Sequence, residues 1–119
     1  MILTLTTRQE GGTPIVDAVG RMVLGNTLSE AEAKMRAVVA GGQTSPVLNL
    51  EKVDYIDSAG VGTIVAVAGL AHQAGGQLRV VGANPRVMGI FKMTRVDTLL
   101  SIHESVAAAL SQALDPRDV

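Results

Sequence analysis

Hydrophobic and polar residues change their spacing several times along the chain, and each change marks an element. Ile2 to Thr6 and Ile15 to Val19 alternate as strands do, and Glu10-Gly11-Gly12-Thr13-Pro14 between them has the composition of a turn, which predicts an antiparallel pair. Beyond Gly20 to Gly25 the period becomes helical: Leu28, Ala31, Met35, Val38 and Val39 fall on one stripe, and Gly41-Gly42 ends it. Thr27-Leu28-Ser29-Glu30 matches a capping box, with Thr27 accepting from the Glu30 amide while Glu30 reaches back, so the first helix is expected to start there. Val47-Leu48-Asn49-Leu50 reads as a buried strand that Val53 to Ile56 carries onward. A second helix covers Gly60 to Ala71 and stops at Gly75-Gly76, and Leu78, Val80 and Val81 give a fourth strand. Asn84 as N-cap and Pro85 at the first helical position open a third helix that runs to about Met93. Leu99-Leu100-Ser101-Ile102 fits a short edge strand. Ser105 caps a last amphipathic helix through Val106, Ala109, Leu110 and Ala113, which Pro116 closes.

Strand and helix alternate after the opening hairpin, so the expected class is α/β, with helices packed on a mixed, partly parallel sheet of four to five strands and about four helices. A length of 119 residues suits one domain spanning 1–119, with a loose C-terminal tail from about Asp115. Nearly half the residues are hydrophobic, but Tyr55 and Phe91 are the only aromatics, which makes the core aliphatic. A formal net charge of −1 without a basic cluster gives no footprint for nucleic acid. The chain has no cysteine, which removes disulfides, thiolate metal sites and thiol catalysis. Met1 to Leu5 alternates like a strand and lacks the pattern of a signal peptide. The longest apolar stretch falls short of the ~20 residues that cross a bilayer, so no membrane insertion is expected and the default location is the cytoplasm.

Asp57-Ser58-Ala59-Gly60-Val61-Gly62 carries the candidate chemistry, because it places a hydroxyl where the buried strand turns into a helix. Asp57 or Ser58 is the expected cap. The first amides of a helix lack intrahelical partners and the macrodipole adds partial positive charge, so an anion attached to Ser58 is favoured there. The simpler account of the same residues is an ordinary N-cap with glycines easing a tight turn. Val61, Ile64, Val67, Ala68 and Ala71 form the expected core stripe of this helix, and the opposite stripe is Ser58, Ala59, Gly62, Ala66, Gly69 and Gln73. An outer helix face normally carries Lys, Glu or Arg, whereas this one offers small uncharged side chains over about four turns. Such a face suits docking by another protein, or close packing by another helix of the same domain; both remain open at this point.

These segments resemble the STAS domain of bacterial anti-sigma factor antagonists. The resemblance rests on Val47-Leu48-Asn49-Leu50, Tyr55 to Gly62, Gly75-Gly76-Gln77-Leu78, Pro85-Arg86-Val87 and the closing Ser105 to Leu110, and covers nearly the whole chain. It implies that Ser58 is phosphorylated by an anti-sigma factor that is also a serine kinase using ATP and magnesium, and that a PP2C-like phosphatase resets it. The unmodified antagonist then binds the anti-sigma factor and frees the sigma factor; the phosphorylated form does not bind. Asp57, Ser58, Ala59, Gly60, Gly62, Thr63, Ala66 and Gly69 are the partner-binding residues this implies, with no cofactor and no metal bound by the chain itself. Two positions depart from the family pattern. Gly20-Arg21-Met22-Val23 stands where many antagonists have an acidic Gly-Glu-Leu-Asp turn, and Ala59 replaces a second hydroxyl found in some relatives. Related STAS proteins serve instead as scaffold subunits of stress-signalling assemblies or as soluble subunits of lipid-transport ATPases.

Enzyme readings find less support. His72 lies about four turns along the helix from Ser58, too far for a hydrogen bond, and Gly-x-Ser-x-Gly is missing. Gly60-Val61-Gly62 lacks the third glycine of a dinucleotide loop, and two histidines without a carboxylate at ligand spacing argue against zinc. Both His72 and His103 are expected at the surface or at helix ends. Arg86, Lys92 and Arg95 suit a solvated face or the steering of an acidic partner, and Met88 and Met93 suit core filling.

Overall fold

The computed structural model describes residues 2–111. Strands β1 (Thr4–Glu10) and β2 (Thr13–Met22) pair antiparallel with Glu10 opposite Thr13, leaving Gly11-Gly12 as a two-residue turn with both φ angles positive, 58° and 80°. Both strands run past the alternating residues, because a ladder is held by backbone hydrogen bonds and needs no apolar side chain at its exposed end. β3 (Val47–Ile56), β4 (Arg79–Val81) and β5 (Ser101–His103) add in parallel, giving a mixed five-stranded sheet in the order β1-β2-β3-β4-β5. Helices α1 (Asn26–Ala40), α2 (Ser58–Gln73) and α3 (Pro85–Met93) pack their apolar stripes on one face of it, over Val16, Ala18, Met22, Leu48, Leu50, Val53, Ile56 and Val80. On the other face α4 (Val106–Ser111) sits with Ala109 on Ile15, Val47 and Val81.

The β2–β3 register slips twice: Asp17 faces Asn49 but Val19 faces Lys52, and Gly20 faces Val53 but Arg21 faces Tyr55. Each slip is a bulge with one extra residue on β3, so the core positions Leu48, Leu50, Val53 and Ile56 are spaced two, three and three apart. This explains how Glu51-Lys52 interrupts the apolar pattern without ending the strand.

Several sequence expectations change. No capping box forms at Thr27 and Glu30: Gly25 is the N-cap, with φ 154° and no side-chain bond, and Asn26 already starts α1. Thr27 therefore lies inside the first turn, where its hydroxyl cannot serve as a cap. Met93 is 81% exposed rather than core-filling, because the apolar stripe of α3 ends at Phe91. Leu99 ends a 3-10 turn at Val96–Thr98 instead of entering the edge strand. Ser105 does cap α4, accepting from the Ala108 amide at 3.1 Å; Ala113, Pro116 and the tail from Asp115 lie outside the described residues. Arg79 is buried although alternation along β4 directs it outward, since α4 covers that face. Its guanidinium donates to the Ser45 and Ala109 carbonyls at 2.7 and 3.2 Å, tying α4 to the sheet, and burial lowers its pKa.

Candidate functional site

The site begins where β3 runs out. The Asp57 amide donates to the Met22 carbonyl at 3.2 Å, and the Asp57 backbone stays extended, so the chain leaves the sheet with its carboxylate against the start of α2. Asp57 Oδ1 accepts from the Gly60 amide at 2.9 Å and Oδ2 from the Leu24 amide at 3.0 Å. One side chain thus caps α2 and fastens the β2–α1 loop to it. Burial acts to raise the Asp57 pKa, but the amides of Leu24, Gly60 and Ala59 and its own amide outweigh this and hold the carboxyl below its ordinary range. With Asp57 as the cap, Ser58 is the first residue of α2 and its side chain is exposed.

Asp57→Ala should lower unfolding stability by about 1–2 kcal/mol at neutral pH, because two amides lose their acceptor. A folded pKa below the unfolded one stabilises the protein above the unfolded pKa and is lost as pH falls through the folded value. The gap between wild type and variant in urea titrations should therefore close below about pH 4.

Two glycines of this segment have opposite tasks. A side chain at Gly60 would collide with the Met22 carbonyl and the Ile56 side chain, whereas one at Gly62 would meet nothing. Gly60 lets α2 lie directly on the end of β2. Gly60→Ala should destabilise by roughly 2–4 kcal/mol, as overpacking against backbone does, while Gly62→Ala should stabilise by about 0.5–1 kcal/mol through helix propensity. Denaturant midpoints of the two variants should move in opposite directions.

The outer face of α2 is bare among the described residues. Ser58, Gly62, Ala66, Gly69 and Gln73 are exposed, Ala59 is half-buried, and the face carries no charged side chain. α1 packs on the flank instead, where Thr63, 6% exposed, donates its hydroxyl to Glu32 at 3.2 Å. Gly60 and Thr63 consequently lie in the interior and shape the face without presenting a side chain to a partner. Ala68, expected in the core stripe, is only partly buried. Leu24, on the loop that Asp57 holds, is an 81% exposed apolar side chain that periodicity could not indicate, since it lies between elements. At the far end of α2, Val65, Ala68, Gly69 and His72 form a groove of about 310 Å³ against Leu99, Leu100 and Ser101. His72 is exposed there. His103 is half-buried in β5 rather than at the surface, with its ring 2.9 Å from the Ser101 hydroxyl, and burial together with the Arg79 charge lowers its pKa. Neither histidine is brought to Ser58, and among the described residues no helix is long and apolar enough to cross a membrane.

This fold and helix start define a known class. The STAS domain family matches residues 4–109, and the chain belongs to that family, among its anti-sigma factor antagonists. BtrV of Bordetella bronchiseptica, assigned as an anti-sigma factor antagonist, is 32% identical over 88 residues, covering 71% of this chain and 76% of its own. A solved anti-sigma factor antagonist from Mycobacterium paratuberculosis superposes with a TM-score of 0.79 over 92% of both chains at 22% identity. The Bacillus cell fate determinant SpoIIAA in its phosphorylated form superposes with a TM-score of 0.71 over 91% of this chain and 97% of its own at 15% identity.

Proposed function

We propose that this chain is a partner-switching antagonist: unmodified, it docks an anti-sigma factor kinase on the Ser58–Gly69 face of α2 and so releases a sigma factor, and phosphorylation of Ser58 ends the docking. The observation that carries the reading is an exposed hydroxyl at the first position of a sixteen-residue helix, continuous with an uncharged face that no other described element covers. Two other hydroxyls are engaged instead: that of Thr63 is buried on Glu32, and Ser45 Oγ accepts from the Gln77 amide at 3.1 Å. In this role the chain works by binding in the cytoplasm and performs no catalysis; the kinase brings ATP and magnesium, and a PP2C-like phosphatase restores the hydroxyl.

The test is incubation with the cognate anti-sigma factor and Mg·ATP, mass spectrometry of the product, and transcription with the matching sigma factor. Phosphate should appear on Ser58, and transcription should rise with unmodified antagonist only. Phosphate on Thr63 or Ser45 with Ser58 untouched, or a sigma factor that stays sequestered, would overturn the reading.

A further inference from the structure

Where β2 and β3 end against the start of α3, the fold assembles a feature that no linear motif contains. Arg21 near the end of β2 lies opposite Tyr55 of β3, with its guanidinium carbon 5.2 Å from the ring centroid. That distance is a cation–π contact, which holds the cation over the ring and orders it in advance. Arg86, the second residue of α3, faces the same basin, where the partial positive charge of the helix start adds to its own. Asn84 fixes the two walls together: its amide group donates to the Val53 carbonyl at 3.1 Å, and its oxygen accepts from the Val87 amide at 2.8 Å.

Both arginines are exposed, and neither takes part in the ion pairs among the described residues, which join Arg8 to Glu10 and Asp17 and Arg36 to Glu32. Asp54 is the one carboxylate on the rim. A chain whose net charge is −1 thus concentrates two free guanidiniums and a helix start in one place. The basin is broad, about 760 Å³, and polar, without the enclosed apolar walls that hold a small ligand; its width suits side chains of another protein. Tyr55 precedes Ser58 by three residues, at most about 10 Å of chain, which places the basin near the start of α2.

We propose that this basin receives an acidic segment of the anti-sigma factor, and that Arg21 and Arg86 select a partner of that charge. The proposal rests on the antagonist function above. The experiment is stopped-flow association of the full chain with the anti-sigma factor whose binding requires unmodified Ser58, at about 0.05 M and about 0.5 M salt. Wild-type association should slow steeply with salt. Arg21→Glu and Arg86→Glu should each cost roughly tenfold in association rate at low salt and little at high salt, with Arg21→Lys and Arg86→Lys close to wild type. Unchanged circular dichroism confirms that the variants fold.

Ser58-dependent binding that is indifferent to both charge reversals overturns this proposal alone. A chain that binds no anti-sigma factor overturns the antagonist function and this proposal with it. Saturable binding of ATP, GTP or inorganic phosphate to the free chain, abolished by Arg21→Glu, would make the basin a small-anion site and also overturn it.

Discussion

Phosphate on Ser58 should lower affinity for the anti-sigma factor by roughly two orders of magnitude while leaving the fold intact. The free protein tolerates the group, since it projects from the first turn of α2 into water and the helix macrodipole favours it by about 0.3–1 kcal/mol. The complex does not. A phosphoserine brings about −1.5 to −2 charges beside Asp57, whose lowered pKa keeps it ionised, and the neighbouring face supplies no counter-ion. Docking must then strip water from that charge, and a penalty of only ~3 kcal/mol produces the stated loss. Ser58→Asp, with a single added charge, should weaken binding by roughly tenfold, whereas Ser58→Ala should bind constitutively. Calorimetric titration of each form measures this, and size-exclusion chromatography separates two roles. Loss of a small antagonist–kinase complex supports the switch; a large assembly that forms equally well with Ser58→Asp would mean that the chain serves as a scaffold.

Gly62→Leu or Ala66→Glu should abolish docking to the limit of detection, at least roughly a hundredfold, with circular dichroism unchanged. In the free chain neither variant strains anything: a side chain at Gly62 meets only open space, and Ala66 is exposed. In a complex the added leucine holds the partner away from a helix that small residues let it approach closely. The added glutamate is instead desolvated without a cation opposite. Affinity equal to wild type in both variants would show that the bare face of α2 is not the docking surface.

Much of this site is legible in the sequence. The step from Ile56 through Asp57 to Ser58 was marked by an apolar run ending at a capping residue, and the uncharged outer stripe followed from helical periodicity. Asn84-Pro85 likewise marked the start of α3, as found. The capping box at Thr27 misleads because the same four residues fit equally well two positions further into a helix, and Gly25, with a backbone that suits glycine, begins it earlier.

What the sequence determined by itself is therefore local: the strands and helices, the hairpin, the capped helix start and the hydroxyl on it. These depend on hydrogen bonds and side-chain spacing within a few residues, which a linear pattern records. Tertiary structure decided whether the outer stripe of α2 was covered, since that depends on where α1 and α3 come to rest. It also placed Gly60 against Met22, turned the Asp57 carboxylate toward Leu24, buried Arg79 under α4 and brought Arg21 to Arg86. Each of these joins residues distant along the chain, and only packing of the whole apolar core, bulges included, sets the distance between them.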